Sequence, residues 1–340
     1  MFISLDVMGG DSPPEIRIEG AIRALHELPE DFSLELVGVE GVVRQLLERK
    51  RYPVHRIRIT NADQNVSMDE KVDKAIRKKS SSIAIGIEQL KNGNAQGFVS
   101  AGNTAAVMAT AVLGLRPLPG IERPAIAATF PTIQGPCVVL DVGASVDCTP
   151  KQLSDFAIMG AIYARDVIGI PHPRVALISV GEEPTKGNEA TRKAHELLGT
   201  MRENGTMHFI GNVEGRDVFS GKADVIVTDG FTGNIMLKLS ESLIPSLNAI
   251  VRQILRKGGL DQRIFAFLAK AIFLGPTIGS LKRTFDVDKY GGAPLLGIDG
   301  TVIIAHGKST PHAIVSAIDA ARKAVNANVT GLIREKLQHI

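Results

Sequence analysis

Three features of the chain predict an α/β sandwich around a mainly parallel sheet. Short runs rich in Val and Ile alternate with amphipathic stretches along almost all of the 340 residues. Many of these runs lack polar–apolar alternation, as expected of strands buried on both faces. Glycine supplies 34 residues, and it gathers just after the apolar runs, where βα loops fall. The length would allow two domains. No low-complexity linker or internal repeat divides the chain, so residues 1–340 read as one three-layer domain.

The expected strands are Phe2–Val7, Leu34–Val39, Arg56–Thr60, Gly97–Ser100, Ala125–Phe130, Cys137–Val142, Val175–Val180, Met207–Ile210, Val225–Thr228 and Val302–Ala305. Helical patterns separate them. Ile18, Ala21, Ile22 and Leu25 share one face, with Pro13 and Pro14 at the first turn. Thr310 and Pro311 open another helix, with Ile314, Val315 and Ile318 on one side. Residues 240–283 show no strand pattern and read as a helical arm inserted before the last strand.

Composition excludes several classes. The apolar fraction is 44% and the charged fraction 22%, so the chain is globular rather than disordered. A net charge of +3 is too balanced for a dedicated nucleic-acid binder, and the absence of Trp leaves few stacking platforms. Cys137 and Cys148 show no metal-ligand spacing and read as small buried side chains. The first ten residues lack a secretory pattern, and no apolar run is long enough to span a bilayer. A cytoplasmic location is the expectation.

In open α/β sheets, ligands bind beyond the carboxyl ends of the strands. Glycine there lets backbone approach a ligand, and a helix N-terminus favours an anion. The first strand leads to Asp6-Val-Met-Gly-Gly-Asp11, which contains Gly9 and Gly10. The fourth leads to Ser100, Gly102, Asn103 and Thr104. Later loops supply Lys186 and Gly187, then Asn212, then Asp229, Gly230, Thr232, Gly233 and Asn234. Gly291 and Gly292 precede the last strand, and His306 follows it. Together they read as an anion site, with Lys186 as a mobile cation and His306 as a proton donor or phosphate contact. Asp6, Asp141 and Asp229 would repel a phosphate unless Lys186 or loop N–H groups neutralise them or a metal bridges them, and they otherwise read as caps of the following turns that orient loop N–H groups.

Absent motifs narrow the chemistry. No GxGxxG follows a strand, and no GxSxG or HExxH occurs. Gly307-Lys308-Ser309 ends like a phosphate-binding P-loop, but Val302 stands where its first glycine belongs. No covalent nucleophile has a signature.

Six motifs, in order along the chain, resemble the bacterial phosphate acyltransferase (PlsX) family. They are Asp6-x-Met-Gly-Gly-Asp11, Ser100-Ala-Gly-Asn-Thr104, Gly181-Glu-Glu with Lys186-Gly187, Gly211-Asn-Val-Glu-Gly-Arg-Asp217, the Asp224–Asn234 segment and Tyr290-Gly-Gly-Ala-Pro-Leu-Leu-Gly297. Val7, Ala105, Ser145 and Lys308 depart from the family's usual residues, and Lys308 adds a charge at the site. The resemblance implies transfer of a fatty acyl group from acyl carrier protein to inorganic phosphate, which feeds a glycerol-phosphate acyltransferase in phospholipid synthesis. It also implies an isocitrate/isopropylmalate dehydrogenase-like fold, a homodimer and peripheral membrane association. The reaction calls for no cofactor.

On that reading phosphate is itself the nucleophile and the protein positions it. Lys186 and the Ser100–Thr104 loop are expected to bind phosphate, with the Asp229–Asn234 loop and His306 completing the cradle. Asn103 or Lys186 would stabilise the tetrahedral oxyanion, and Asp229 stands among the catalytic candidates. In the arm, Phe265, Phe267, Leu268, Phe273 and Leu274 form an apolar run flanked by cations, suited to a dimer interface or a membrane surface. The acidic carrier would dock on basic clusters such as Arg49–Arg51 and Arg77–Lys79. A coenzyme A-dependent phosphotransacetylase, a metal-dependent dehydrogenase of the same fold and a non-enzymatic phosphate- or lipid-binding scaffold are the alternatives.

Overall fold

A computed structural model describes residues 1–257 and 291–338. In chain order its elements begin β1 (Phe2–Asp6), α1 (Pro14–Glu27), β2 (Ser33–Gly38), α2 (Glu40–Leu47), β3 (Ile57–Asn61), α3 (Val72–Ala75), α4 (Ser82–Lys91), β4 (Gly97–Ser100), α5 (Thr104–Leu115), β5 (Ala125–Thr132) and β6 (Gly135–Leu140). There follow α6 (Pro150–Tyr163), β7 (Val175–Ile178), α7 (Glu189–Glu203), β8 (Phe209–Val213), β9 (Val225–Val227), α8 (Gly230–Lys257), β10 (Ala293–Leu296), β11 (Thr301–Ile304), α9 (Pro311–Asn326) and α10 (Val329–Gln338).

All ten expected strands are present, nine of them with shifted ends. The segment Met207–Ile210 becomes β8 at Phe209–Val213, so Asn212 lies in a strand rather than in a loop. An eleventh strand, β10, occupies a stretch that reads as a loop because it follows Gly291-Gly292 and contains Pro294. Proline is tolerated there because the ladder with β5 begins only at Leu295. The helix starts fall where proline predicts them: Pro14 opens α1, and Pro311 follows the Thr310 cap of α9. The arm residues Phe265, Phe267, Leu268, Phe273 and Leu274 lie outside the described residues.

Among the described residues eleven strands form one sheet in the order β3-β2-β1-β4-β11-β10-β5-β6-β9-β7-β8. The first five are mutually parallel, as are the last four. Between them β10 and β5 each run antiparallel to both neighbours. Three reversals therefore separate the blocks, and their carboxyl ends point in opposite directions.

Strand residues alternate between two apolar layers. Ile126, Ala128 and Phe130 of β5 join the core under α4 and α5. Ala125 and Ala127 join the core under α6 and α7. In the first block, α1 and α9 cover the second face over Ile3, Leu5 and Ile303. Met236 and Leu237 of α8 pack on the same face as α5. The result is a three-layer sandwich. Its first layer leaves a gap between α5 and α8, above β11, β10 and β5.

Candidate active site

The carboxyl edge of the first block is an interlocked set of three loops. Asp6 is fully buried, and its Oδ1 accepts the N–H groups of Met8 and Gly9 at 3.0 and 2.9 Å. Its Oδ2 accepts the Ser100 hydroxyl at 2.7 Å, and Ser100 Oγ accepts the Gly102 N–H at 3.0 Å. Asp11 donates its N–H to the Gly307 carbonyl at 2.8 Å, which joins the β1 and β11 loops. Gly10 sits where these loops meet, with φ +112° and space for no Cβ clear of the Gly307 and Ala101 carbonyls.

Asn103 caps α5, its Oδ1 accepting the Ala106 N–H at 3.1 Å. Its Nδ2 donates to the Met68 and Glu70 carbonyls at 2.8 and 3.1 Å. The amide is thus occupied in holding the 68–70 loop. Thr104 opens the helix, exposed, and the first amides of α5 have no intrahelical acceptor. His306 is exposed, and its Nδ1 accepts the Lys308 N–H at 3.1 Å. The neutral ring then carries its proton on Nε2.

In the second block the acids also orient backbone. Asp141 accepts N–H groups from Ile126, Gly143, Ala144 and Ser145 at 2.7–3.1 Å. Burial pushes its carboxyl up, against the downward pull of those amides. Asp229 caps α8, taking the Thr232 N–H at 2.8 Å and its hydroxyl at 2.9 Å. Gly230 and Gly233 press the first turn of α8 against the Asp141 loop, where a Cβ would fall 2.6 Å from Asp141 Oδ2 and 1.9 Å from the Asp141 carbonyl oxygen, respectively. Among the described residues no group of three His, Cys, Asp or Glu could hold a metal ion. Burial pushes the Cys137 thiol up, and it pushes Cys148 up to about 11, so neither is a ready thiolate at neutral pH.

These residues border two separate hollows. The first is the gap between α5 and α8, a cleft of about 300 Å³. Thr104 and His306 line it from the first block and Asn234 from the second, with Gly292 also in its lining. The rest is largely apolar, including Ala128, Phe130, Val142, Phe219 and Leu237.

The second is a crevice of about 520 Å³ between the ends of β7 and β9. The connection from β9 leads to α8 on one face and that from β7 to α7 on the other. This is a topological switch point, where α/β sheets bind ligands. Asp229, Thr232, Asn188 and Cys148 line it. The first turn of α8 is the wall between the hollows, with Thr232 on one side and Asn234 on the other.

Lys186 is exposed on the loop after β7 and lines neither hollow. Asn212 supports that loop from β8, its Nδ2 donating to the Glu183 carbonyl at 3.0 Å and its Oδ1 meeting His195 Nδ1 at 2.9 Å. Gly187 allows the loop its turn with φ +99°. Gly291 passes so close to α9 that a Cβ would lie 2.2 Å from the Ser316 carbonyl oxygen.

Sequence reasoning passed over two residues. Arg17 is 1% exposed on α1, its Nε donating to the Val7 carbonyl at 3.0 Å, while its Nη2 has no partner among the described residues. Burial pushes its guanidinium down, and the Asp6 charge offsets part of that. The signal was an arginine one turn before Ala21, on the helix's apolar face. The other is Phe219, whose place beside Phe130 no local pattern reveals.

The cleft thus sets helix N-termini and hydroxyl, amide and imidazole groups at the border of a largely apolar interior, within an α/β fold. A phosphotransacetylase from Streptococcus pyogenes shares the fold, with TM-score 0.64 at 16% identity, over 96% of this chain and 94% of that one. A phosphate acyltransferase of Halothermothrix orenii is 43% identical over 338 residues, 99% of this chain and 98% of that protein. Another, from Myxococcus xanthus, is 45% identical over 325 residues, 94% of this chain and 89% of that protein. A family model described as "Fatty acid synthesis protein" matches residues 1–332. The chain belongs to this family, that of the PlsX phosphate acyltransferases, and is an acyltransferase.

Proposed function

We propose that the protein moves a fatty acyl group from acyl carrier protein to inorganic phosphate, forming acyl phosphate for phospholipid synthesis. The carrying observation is the cleft between α5 and α8, which joins an apolar interior to the polar border of Thr104 and His306. An acyl chain lies in the apolar part, with its thioester at that border. Phosphate attacks the carbonyl carbon, the carbon–sulfur bond breaks, and the carrier leaves as a thiolate that needs little acid help. The first N–H groups of α5 and the Nε2–H of His306 stabilise the oxyanion. Asn103 acts by fixing that helix start. The first turn of α8, through Asn234, supplies phosphate contacts in the cleft, while Lys186 and the Gly9–Asp11 loop lie outside its lining.

The carrier docks near this border. The loop held by Asn103 continues into Arg77–Lys79, where Arg77 and Lys79 are exposed while Lys78 pairs with Glu70 at 2.7 Å. An acidic partner there is steered toward the cleft. No helix among the described residues is long and apolar enough to cross a membrane. The protein works as a homodimer in the cytoplasm, bound peripherally to the membrane and passing acyl phosphate to a glycerol-phosphate acyltransferase. Support comes from α8, which exposes Phe231, Ile235, Leu239, Leu243 and Ile250 along its length.

The test is thiol release from palmitoyl-acyl carrier protein with and without inorganic phosphate, with the product identified by mass spectrometry. Phosphate-dependent release with acyl phosphate formed is the expected result. Activity only with acyl-coenzyme A would make the protein a phosphotransacetylase. Inactivity with both would favour a binding role.

A further inference from the structure

The cleft has an aromatic end wall, and we propose that this wall sets the length of acyl chain the protein accepts. The inference rests on the cleft being the acyl site. Phe130 projects from β5 and is 3% exposed, part of the core. Phe219, half-buried in the segment after β8, stacks on it with ring centroids 6.1 Å apart and planes inclined by 20°. The Phe219 carbonyl accepts the Ile133 N–H at 3.1 Å, which ties this segment to the β5–β6 turn. The rings are thus positioned from two elements at once.

The wall stands across the cleft from the polar border. His306 follows β11, and β5 lies two strands away, a separation of about 10 Å. The lining between them includes the small residues Ala128, Gly292 and Ala293, which leave room for a chain. The span of about 10 Å from His306 to the wall limits how long an extended chain the hollow takes. A longer chain must move a ring. Phe130 is fixed in the core, so Phe219 is the ring that yields. Phe219 is the specificity-determining residue, and Phe130 positions it.

The experiment measures kcat/KM of the full chain for acyl carrier proteins loaded with saturated chains of graded length. Each further methylene buried is worth about fourfold. Phe219→Ala should raise the preference for long over medium chains by about tenfold or more and leave short chains unchanged. Ala293→Val, which narrows the lining, should shift the optimum the other way. Phe219→Leu gives a smaller shift in the same direction as Phe219→Ala and serves if the alanine variant folds poorly. Folded variants that keep the wild-type length profile would overturn the inference. If the wild type releases no thiol at any length, acyl transfer itself fails. The wall is then tested alone, by displacing a fluorescent fatty acid with carboxylates of the same lengths: an unchanged profile in Phe219→Ala rejects it, and a shift toward longer chains supports it.

Discussion

Ser100 donates its hydroxyl to Asp6 Oδ2 at 2.7 Å, so one buried hydrogen bond joins the loop after β4 to the loop after β1. Ser100 Oγ in turn accepts the Gly102 N–H. Ser100→Ala removes both contacts and strands a buried carboxylate oxygen and an amide. The expected cost is about 1–3 kcal/mol, read as a lower urea midpoint at constant slope. Activity should fall further than stability, because Asn103 and Thr104 follow directly on this loop. An unchanged midpoint and an unchanged rate would remove the loop junction from the site.

His306 is held so that its Nδ1 is occupied by the Lys308 N–H. Nε2 is then the free donor. Removing a donor of this kind costs about 10²–10³ in kcat, and His306→Ala should show that loss. Gln places an amide near the Nε2 position and Asn near Nδ1. His306→Gln should therefore keep more activity than His306→Asn. The reverse order would assign the work to Nδ1 and require the Lys308 contact to break during turnover.

Much of this architecture is readable in the chain. Strands buried on both faces cannot alternate, and their Val/Ile runs gave away ten of the eleven. β10 escaped because four residues containing Pro294 carry too little pattern, and its pairing is set by β11 and β5. The acids at strand ends were legible as loop residues, and Asp6, Asp141 and Asp229 each orient backbone amides. Their distribution was not legible. Thr232 and Asn234 are two residues apart yet face different hollows, because a helix turns side chains by about 100° per residue. The contact of Phe219 with Phe130 depends on how distant loops cross, which no window of sequence contains.

Asp224 and Arg174 give a pH signature. Burial pushes the Asp224 carboxyl up, but hydrogen bonds from the Arg174 side chain and backbone outweigh it and hold the group below its usual range. The folded state thus binds this proton less readily than the unfolded chain. The resulting stability is present above the unfolded carboxylate value of about 3.9 and is lost as pH falls from there through the lower folded value. Asp224→Asn should be less stable at pH 7 and lose less on acidification. Urea midpoints for both proteins from pH 7 down to pH 3 check this. Parallel curves would mean the pair contributes nothing that titrates.

Gly233 tests how tightly the wall between the two hollows is built. A Cβ there would lie 1.9 Å from the Asp141 carbonyl oxygen and 2.9 Å from Thr228 Cγ2. Backbone cannot yield as a flexible side chain can, so Gly233→Ala must push the first turn of α8 off the Asp141 loop. The expected loss exceeds about 3 kcal/mol, the upper end for overpacking. Gly41, in α2, is the matched control, with nothing within 4 Å of its Cβ position. Gly41→Ala should stabilise by up to about 1 kcal/mol through helix propensity. Thermal midpoints of the two variants separate close packing from a general glycine effect. Equal small changes would mean that α8 can slide on the loop, and that the two hollows are free to merge.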